Sequence, residues 1–130
     1  MTIDVRAFEF FADPPREDAL AGETTARLNS GVGGMLELLR SLAAQLSFPS
    51  YFGNNWDALE ESLQDLLPNQ GRALALVHET LPPDLTDSEL RTYLEVLGRV
   101  ILHRQEFGEP KLRALFSQEM RDRVERLASR

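Results

Sequence analysis

Cysteine is absent from this sequence, and basic residues are scarce. Without cysteine, a chain of 130 residues has no disulfide bond, no thiolate zinc site and no thiol nucleophile. Lysine and arginine together number 14 against 21 aspartates and glutamates, so the net charge is −7. A negative charge disfavours nucleic acid as a partner, because phosphates are bound by basic side chains, and it favours the attraction of a basic protein.

Long apolar runs and a recognisable leader are also missing. No stretch approaches the roughly 20 apolar residues that a membrane-spanning helix needs. The first residues do not join a basic region to an apolar run, as a signal peptide would. We therefore expect a cytoplasmic protein that does not contact membranes. The length, with 42% apolar residues, is typical of one globular domain, to which we assign residues 1–130.

Strand-like and helix-like segments alternate along the chain. Three segments rich in apolar, β-branched or aromatic residues are predicted strands: Ile3–Phe11, Ala73–Val77 and Leu112–Phe116. Apolar residues recur at helical spacing in four segments: about 35–46, about 55–67, from the capping box at Thr86–Glu89 to about Gly108, and about 119–128.

Strands that are separated by helices pair in parallel through right-handed crossovers. We therefore predict an α/β fold with a small three-stranded parallel sheet packed with helices, plus an extra C-terminal helix at about 119–128. The polar residues 13–34 between the first strand and the first long helix are interpreted as a long connection, in which a short helix around 17–20 could lie.

The most informative segment is an aromatic, glycine-containing loop that leads into an acidic helix, at residues 48–65. No lysine or arginine occurs at positions 41–71. In a helix, Asp57, Glu61 and Asp65 would stack at intervals of four residues, where like charges cost about 0.2–0.5 kcal/mol per pair. We interpret this face as a surface that meets a positively charged partner.

Residues 49–63 resemble the barstar family, whose members are bacterial intracellular inhibitors of barnase-type ribonucleases. The family pattern is Pro-x-Tyr-aromatic-Gly-x-Asn-x-Asp-Ala-Leu. It is matched by Pro49, Tyr51, Phe52, Gly53, Asn55, Asp57, Ala58 and Leu59. The layout of predicted strands and helices over about residues 3–116 is also similar to that of the family, with the 13–34 connection and the C-terminal helix as additions.

The resemblance implies an inhibitor that fills the active site of a basic secreted ribonuclease or nuclease toxin in a one-to-one complex. Its carboxylates would lie where RNA phosphates bind. By position in the motif, Glu61 corresponds to the principal acid, which is usually Asp in the family, and Asp57 corresponds to a second acid that meets an arginine. Tyr51 corresponds to an aromatic that lies against the catalytic histidine. The other implied contact residues are Gly53, Asn55, Trp56, Glu60 and Gln64.

The resemblance also implies a further acid from the helix that follows the second predicted strand, for which Glu89 and Glu95 both stay open.

The acids of the motif helix have structural interpretations as well. Asp57 and Glu60 lie in its first turn, where carboxylates complement the helix dipole by about 0.3–1 kcal/mol. Glu61 lies further along, where a solvated face is the plain alternative.

The loop before this helix has structural alternatives too. Asn54 or Asn55 is a natural N-cap, and Gly53 could serve only to permit a positive φ. Trp56 has the spacing of a core residue, because it shares a helix face with two leucines. Tyr51, which precedes the helix, is predicted to be exposed.

Two other functions stay open. The scaffold could be an acidic interaction module that binds a basic protein other than a nuclease. A hydrolase that uses Asp57 and Glu61 is disfavoured, because carboxylates on an exposed helix lack the cleft that raises the pKa of a general acid.

His78 and His103 have no spaced partner for a metal, and no nucleophile elbow or phosphate-binding glycine loop occurs. We predict no catalytic residue, no metal and no cofactor.

Overall fold

The computed structural model describes residues 3–16, 22–29, 33–48, 53–64 and 72–129. Within these ranges it contains strands β1 (Phe8–Phe11), β2 (Glu23–Leu28), β3 (Ala73–His78) and β4 (Leu112–Ser117), and helices α1 (Met35–Gln45), α2 (Trp56–Gln64), α3 (Asp87–Glu106) and α4 (Arg121–Ala128). Short 3-10 helices, Val5–Ala7 and Gln118–Met120, precede β1 and α4. None of the helices in these ranges is long and apolar enough to cross a bilayer.

All four strands run parallel in one sheet, in the order β1-β4-β3-β2. The register aligns one buried row across the sheet: Phe8, Ala114, Leu76 and Ala26. Strands β3 and β4 occupy the centre, which explains why their sequences are nearly continuous apolar runs. The α/β class with a parallel sheet is therefore confirmed.

The predicted count of three strands is wrong, because the polar stretch assigned to a connection contains β2. This strand lies at the edge of the described sheet and turns Ala26 and Leu28 towards the helices, while Glu23 and Arg27 point to the other face. A half-polar edge strand gives a weak apolar signal. The first predicted strand is also too long: residues 5–7 form a 3-10 helix, and Asp4 caps it by accepting from the backbone N–H of Arg6 at 3.0 Å.

Helix α3 is the centre of the packing. It contacts β4 of the sheet, while α2 and α4 pack against α3, and α1 packs against β2. The apolar spacing predicts this role, since α3 buries six apolar or aromatic side chains: Leu90, Tyr93, Leu94, Val96, Leu97 and Val100. The predicted capping box is confirmed, because Thr86 accepts from the N–H of Glu89 at 3.1 Å and Glu89 accepts from the N–H of Thr86 at 3.0 Å.

The opposite face of the sheet carries a small apolar cluster and a charged bridge. The cluster consists of Ala75, Val77 and Leu115, with Phe11 packed against it. The bridge is centred on Arg113 of β4, which forms two hydrogen bonds to Glu9 of β1, at 2.8 and 3.0 Å, and one to Glu23 of β2, at 2.7 Å. One guanidinium therefore links both edge strands of the described sheet.

Candidate functional site

The acidic helix α2 begins at an asparagine cap. The side-chain oxygen of Asn55 accepts from the backbone N–H of Ala58 at 2.8 Å, and its amide donates to the carbonyl of Gly53 at 3.2 Å. The carbonyl of Asn55 also accepts the first helical hydrogen bond, from Leu59. This residue therefore fixes both the start of the helix and the end of the loop, although its side chain is exposed.

The structural alternative for Gly53, a positive φ, is wrong. The residue with a positive φ is Asn54, at 49°, and Gly53 is not among the described residues with positive φ. Asparagine tolerates this left-handed conformation better than most residues. A Cβ atom on Gly53 would lie 2.9 Å from the amide nitrogen of Asn55. A side chain at position 53 would therefore displace the amide group of the capping side chain.

Helix α2 is amphipathic and presents two of its acids outward. It buries Leu59, Ser62 and Leu63, and it packs on α3. Trp56 is half-buried against the core, as its spacing predicts, with its ring 5.8 Å from that of Tyr93. On the other side of the helix, Asp57 and Glu61 are exposed. Neither carboxylate forms a hydrogen bond or ion pair with any residue that the structure describes.

Glu60 does not share this exposure, because it turns towards α3 and meets Arg99. Both Nε and Nη2 of Arg99 donate to Oε1 of Glu60, at 2.9 and 2.8 Å. The other carboxylate oxygen accepts from the amide of Gln64 at 3.3 Å. The Glu60 side chain is only 24% exposed. Two of the predicted contact residues, Glu60 and Gln64, are thus bound to each other, and Glu60 is also bound to the neighbouring helix α3.

Arg99 is the residue of this surface that the sequence analysis missed. The Glu60 carboxylate, which accepts its hydrogen bonds, raises the pKa of Arg99 above its ordinary value, and the charges of Glu95 and Asp57 act in the same direction. Its Nη1 atom lies 3.8 Å from Glu95 of α3. The pairing of Glu60 with Arg99 spans 39 residues, so no local spacing could have revealed it.

The structure separates the two open candidates for a further acid. The Glu89 side chain is used to cap α3. Glu95 lies beside Arg99 and is also paired with Arg91 at 3.2 Å. Only Glu95 is therefore joined, through Arg99, to the surface of α2. The predictions for Tyr51, Phe52 and Asp65 fall on residues outside the described ranges.

A buried aromatic and polar cluster supports α2 from beneath. Tyr93, which contacts Trp56, also lies 2.7 Å from Nε2 of His78, and the His78 ring stacks on Phe116. Burial lowers the pKa of His78 to about 4. A fully buried imidazole of this kind has a structural role. In the described part of the chain, no group of three His, Asp or Glu side chains is arranged to hold a metal ion.

A comparison with family models identifies the family to which the chain belongs. The model described as Barstar (barnase inhibitor) matches residues 25–114, more than half of the chain. The chain belongs to the barstar family. The match begins inside β2 and ends inside β4, so it includes the asparagine-capped helix and Arg99, whereas β1 and α4 lie outside it. A comparison with curated proteins gave no match.

Membership of the barstar family changes how the N-terminal part is interpreted. The resemblance placed the family's first strand at the N-terminus and treated residues 13–34 as an addition. The match instead starts at residue 25, so β2 is the first strand of the barstar-like part. Barstar-family proteins are inhibitors of barnase-type ribonucleases rather than enzymes, and a nuclease partner follows from that membership in general terms.

Proposed function

We propose that this chain is a stoichiometric inhibitor of a basic secreted ribonuclease or nuclease toxin, and that it has no catalytic activity of its own. The observation that carries the proposal is the pair of exposed carboxylates, Asp57 and Glu61, one helical turn apart on α2. They lie within the part that matches the barstar family. Nothing in the described residues neutralises them through an ion pair.

The proposed mechanism combines steric occlusion with mimicry of RNA phosphates. A ribonuclease cleft must be positive to bind RNA, so two carboxylates on one helix face are attracted to it and can occupy phosphate positions without offering a bond to cleave. Glu61 would fill the principal phosphate site, and Asp57 would meet an arginine near its edge. The other proposed contacts are Tyr51, Gly53, Asn55, Glu60 and Gln64.

Rigidity of the acidic helix strengthens this proposal. Leu59 and Leu63 are fully buried against the rest of the core, and Asn55 fixes the first turn. The backbone that carries the two carboxylates is therefore held by the core before the partner arrives, which lowers the entropy cost of association. General acid catalysis is disfavoured, because both carboxylates lie on a solvated helix surface rather than in a desolvated cleft.

An inhibition titration tests the proposal. Barnase serves as the first probe, with cleavage of a fluorogenic RNA as the signal, and the purified chain is added until activity stops changing. We expect inhibition to be complete at a one-to-one ratio. Glu61→Gln should weaken binding by about 2 kcal/mol or more, as truncation of a central contact does, and Asp57→Asn should weaken it less.

Glu119→Gln is the matched control, since Glu119 is an exposed acid outside the family match and its loss changes the net charge equally. The proposed surface is wrong if Glu61→Gln and Asp57→Asn bind as tightly as this control. If a molar excess of the chain leaves RNA cleavage unchanged, inhibition of this nuclease class is excluded, and an acidic module for a basic partner that is not a nuclease becomes the better explanation.

A further inference from the structure

We infer that Arg99 is a specificity-determining residue of the proposed interface. Its charge cancels that of Glu60, and it repels a partner whose positive surface extends over α3. This inference rests on the proposed function, which leaves open which basic nucleases are accepted. It assigns the partner a chemical property: a basic cleft whose rim, opposite α3, offers a carboxylate or carbonyl acceptor rather than another cation.

The first support is the geometry of the pair. Arg99 places two N–H groups on a single oxygen of Glu60, and its side chain is still 42% exposed. Charge-assisted hydrogen bonds of this kind are among the stronger polar interactions in proteins. The guanidinium is thus held between α2 and α3, next to the acids proposed to bind the nuclease, and cannot turn away without leaving Oε1 of Glu60 without its donors.

The second support is the charge distribution that results. Glu60 and Arg99 together contribute almost no net charge, so the outward field of α2 comes from Asp57 and Glu61. A guanidinium has five N–H donors, and two of those on Arg99 are donated to Glu60. The pair is nearly neutral as a whole, but its cationic end lies on α3, with Nη1 3.8 Å from Glu95, and this is the end that a partner covering α3 would meet. Like charges brought together at an interface are strongly unfavourable, whereas an acceptor is favourable.

The closing experiment compares two arginine variants against barnase as the probe. Arg99→Gln and Arg121→Gln both change the net charge from −7 to −8. Arg121 is a suitable control because it also forms a close ion pair with a glutamate, Glu125 at 2.7 Å, and lies on α4, outside the family match. We expect Arg99→Gln to bind at least about tenfold more tightly than the wild type, and Arg121→Gln to stay within about twofold of it.

A double-variant arm separates the charge of Arg99 from a direct contact by Glu60. Glu60→Gln leaves the Arg99 charge uncompensated and should weaken binding about tenfold. Glu60→Gln combined with Arg99→Gln keeps the net charge of the wild type and should recover that loss. If the double variant stays as weak as Glu60→Gln, the loss comes entirely from the contact that Glu60 itself makes and the charge of Arg99 has no effect on the partner, so the inference is overturned.

The outcomes also distinguish this inference from the proposed function. If Glu61→Gln weakens binding while Arg99→Gln behaves like Arg121→Gln, the inhibitor function stands and the role of Arg99 falls. If Arg99→Gln gains affinity and Glu61→Gln loses it, both stand. Absence of binding by the wild type and by every variant overturns both. Circular dichroism and thermal unfolding of each variant establish that the compared proteins are folded.

Discussion

The hydroxyl of Tyr93 donates a hydrogen bond to Nε2 of His78 over 2.7 Å, at a position where both side chains are fully buried. The direction follows from the other nitrogen: Nδ1 lies 2.8 Å from the carbonyl oxygen of Leu115, which can only accept, so Nδ1 carries the proton of the neutral ring. This chain of two hydrogen bonds joins α3, β3 and β4 and is complete with a neutral His78 ring, which burial favours over the charged form.

Stability should therefore fall when the solution is acidified through the range in which a free histidine titrates. Burial lowers the pKa of His78 to about 4 in the folded protein, against about 6.5 in the unfolded chain. Below about pH 6.5 the unfolded state binds a proton that the folded state does not bind. The free energy of unfolding therefore decreases until about pH 4, by about 3 kcal/mol in total. Above about pH 6.5 this contribution is constant.

Urea unfolding between pH 7.5 and 5 measures this slope before most carboxylates titrate. In the double variant His78→Phe with Tyr93→Phe, both partners of the buried hydrogen bond are replaced by apolar rings, and the slope over this range should flatten. An unchanged slope in the double variant would show that another group is responsible.

Arg104 is expected to be one of the most sensitive positions for folding. Its buried guanidinium donates to three backbone carbonyls, those of Leu63 at 2.9 Å, Arg72 at 2.9 Å and Pro110 at 2.8 Å. Arg104→Met keeps the apolar stem but leaves these carbonyls without their donor, which should lower the free energy of unfolding by about 2–4 kcal/mol. The free energy of unfolding of Arg104→Lys should lie between those of the wild type and Arg104→Met, because an ammonium lacks the planar fork of the guanidinium. Chemical denaturation at pH 7.5 checks the order.

The cap of α2 gives a smaller, local prediction. Asn55→Ala removes the acceptor for the Ala58 N–H and should destabilise the protein by about 0.5–2 kcal/mol. Asn55→Asp should retain most of the stability, since the carboxylate also accepts from the helix N-terminus. Asn54→Gly is the control at the next position: glycine adopts the positive φ readily, so no loss is expected. Hydrogen exchange at the Ala58 amide should accelerate only in Asn55→Ala.

The charged bridge across the sheet should be sensitive to salt. Arg113→Gln removes the link between Glu9 and Glu23, and we expect a loss of about 1 kcal/mol that shrinks in 1 M salt. Arg6→Gln is a suitable comparison. The Arg6 side chain pairs with Asp4 but is 88% exposed, so this ion pair should contribute almost nothing to stability. Equal effects of the two substitutions would mean that the bridge is no stronger than an ordinary surface pair.

Prediction from sequence succeeded where one local signal was strong and failed where tertiary context decided the outcome. The capping box at Thr86 and the apolar spacing of the following helix defined α3, and the continuous apolar run after residue 72 defined β3. Strand β2 was missed because only half of its side chains face the core. The exposed acids of α2 followed from their spacing, whereas the pairing of Glu60 with Arg99 depends on how two helices pack.

The position of β1 has a consequence for the order in which the molecule assembles. Phe8 pairs with Ala114, and the backbone N–H of Ile3 donates to the carbonyl of Ala128. During synthesis on the ribosome, β1 therefore has to wait until its partner β4, which begins at Leu112, has emerged. Until then β1 is an unpaired strand, and such strands are prone to join other chains. Of the four described strands, the last to be made is the one that pairs with the first.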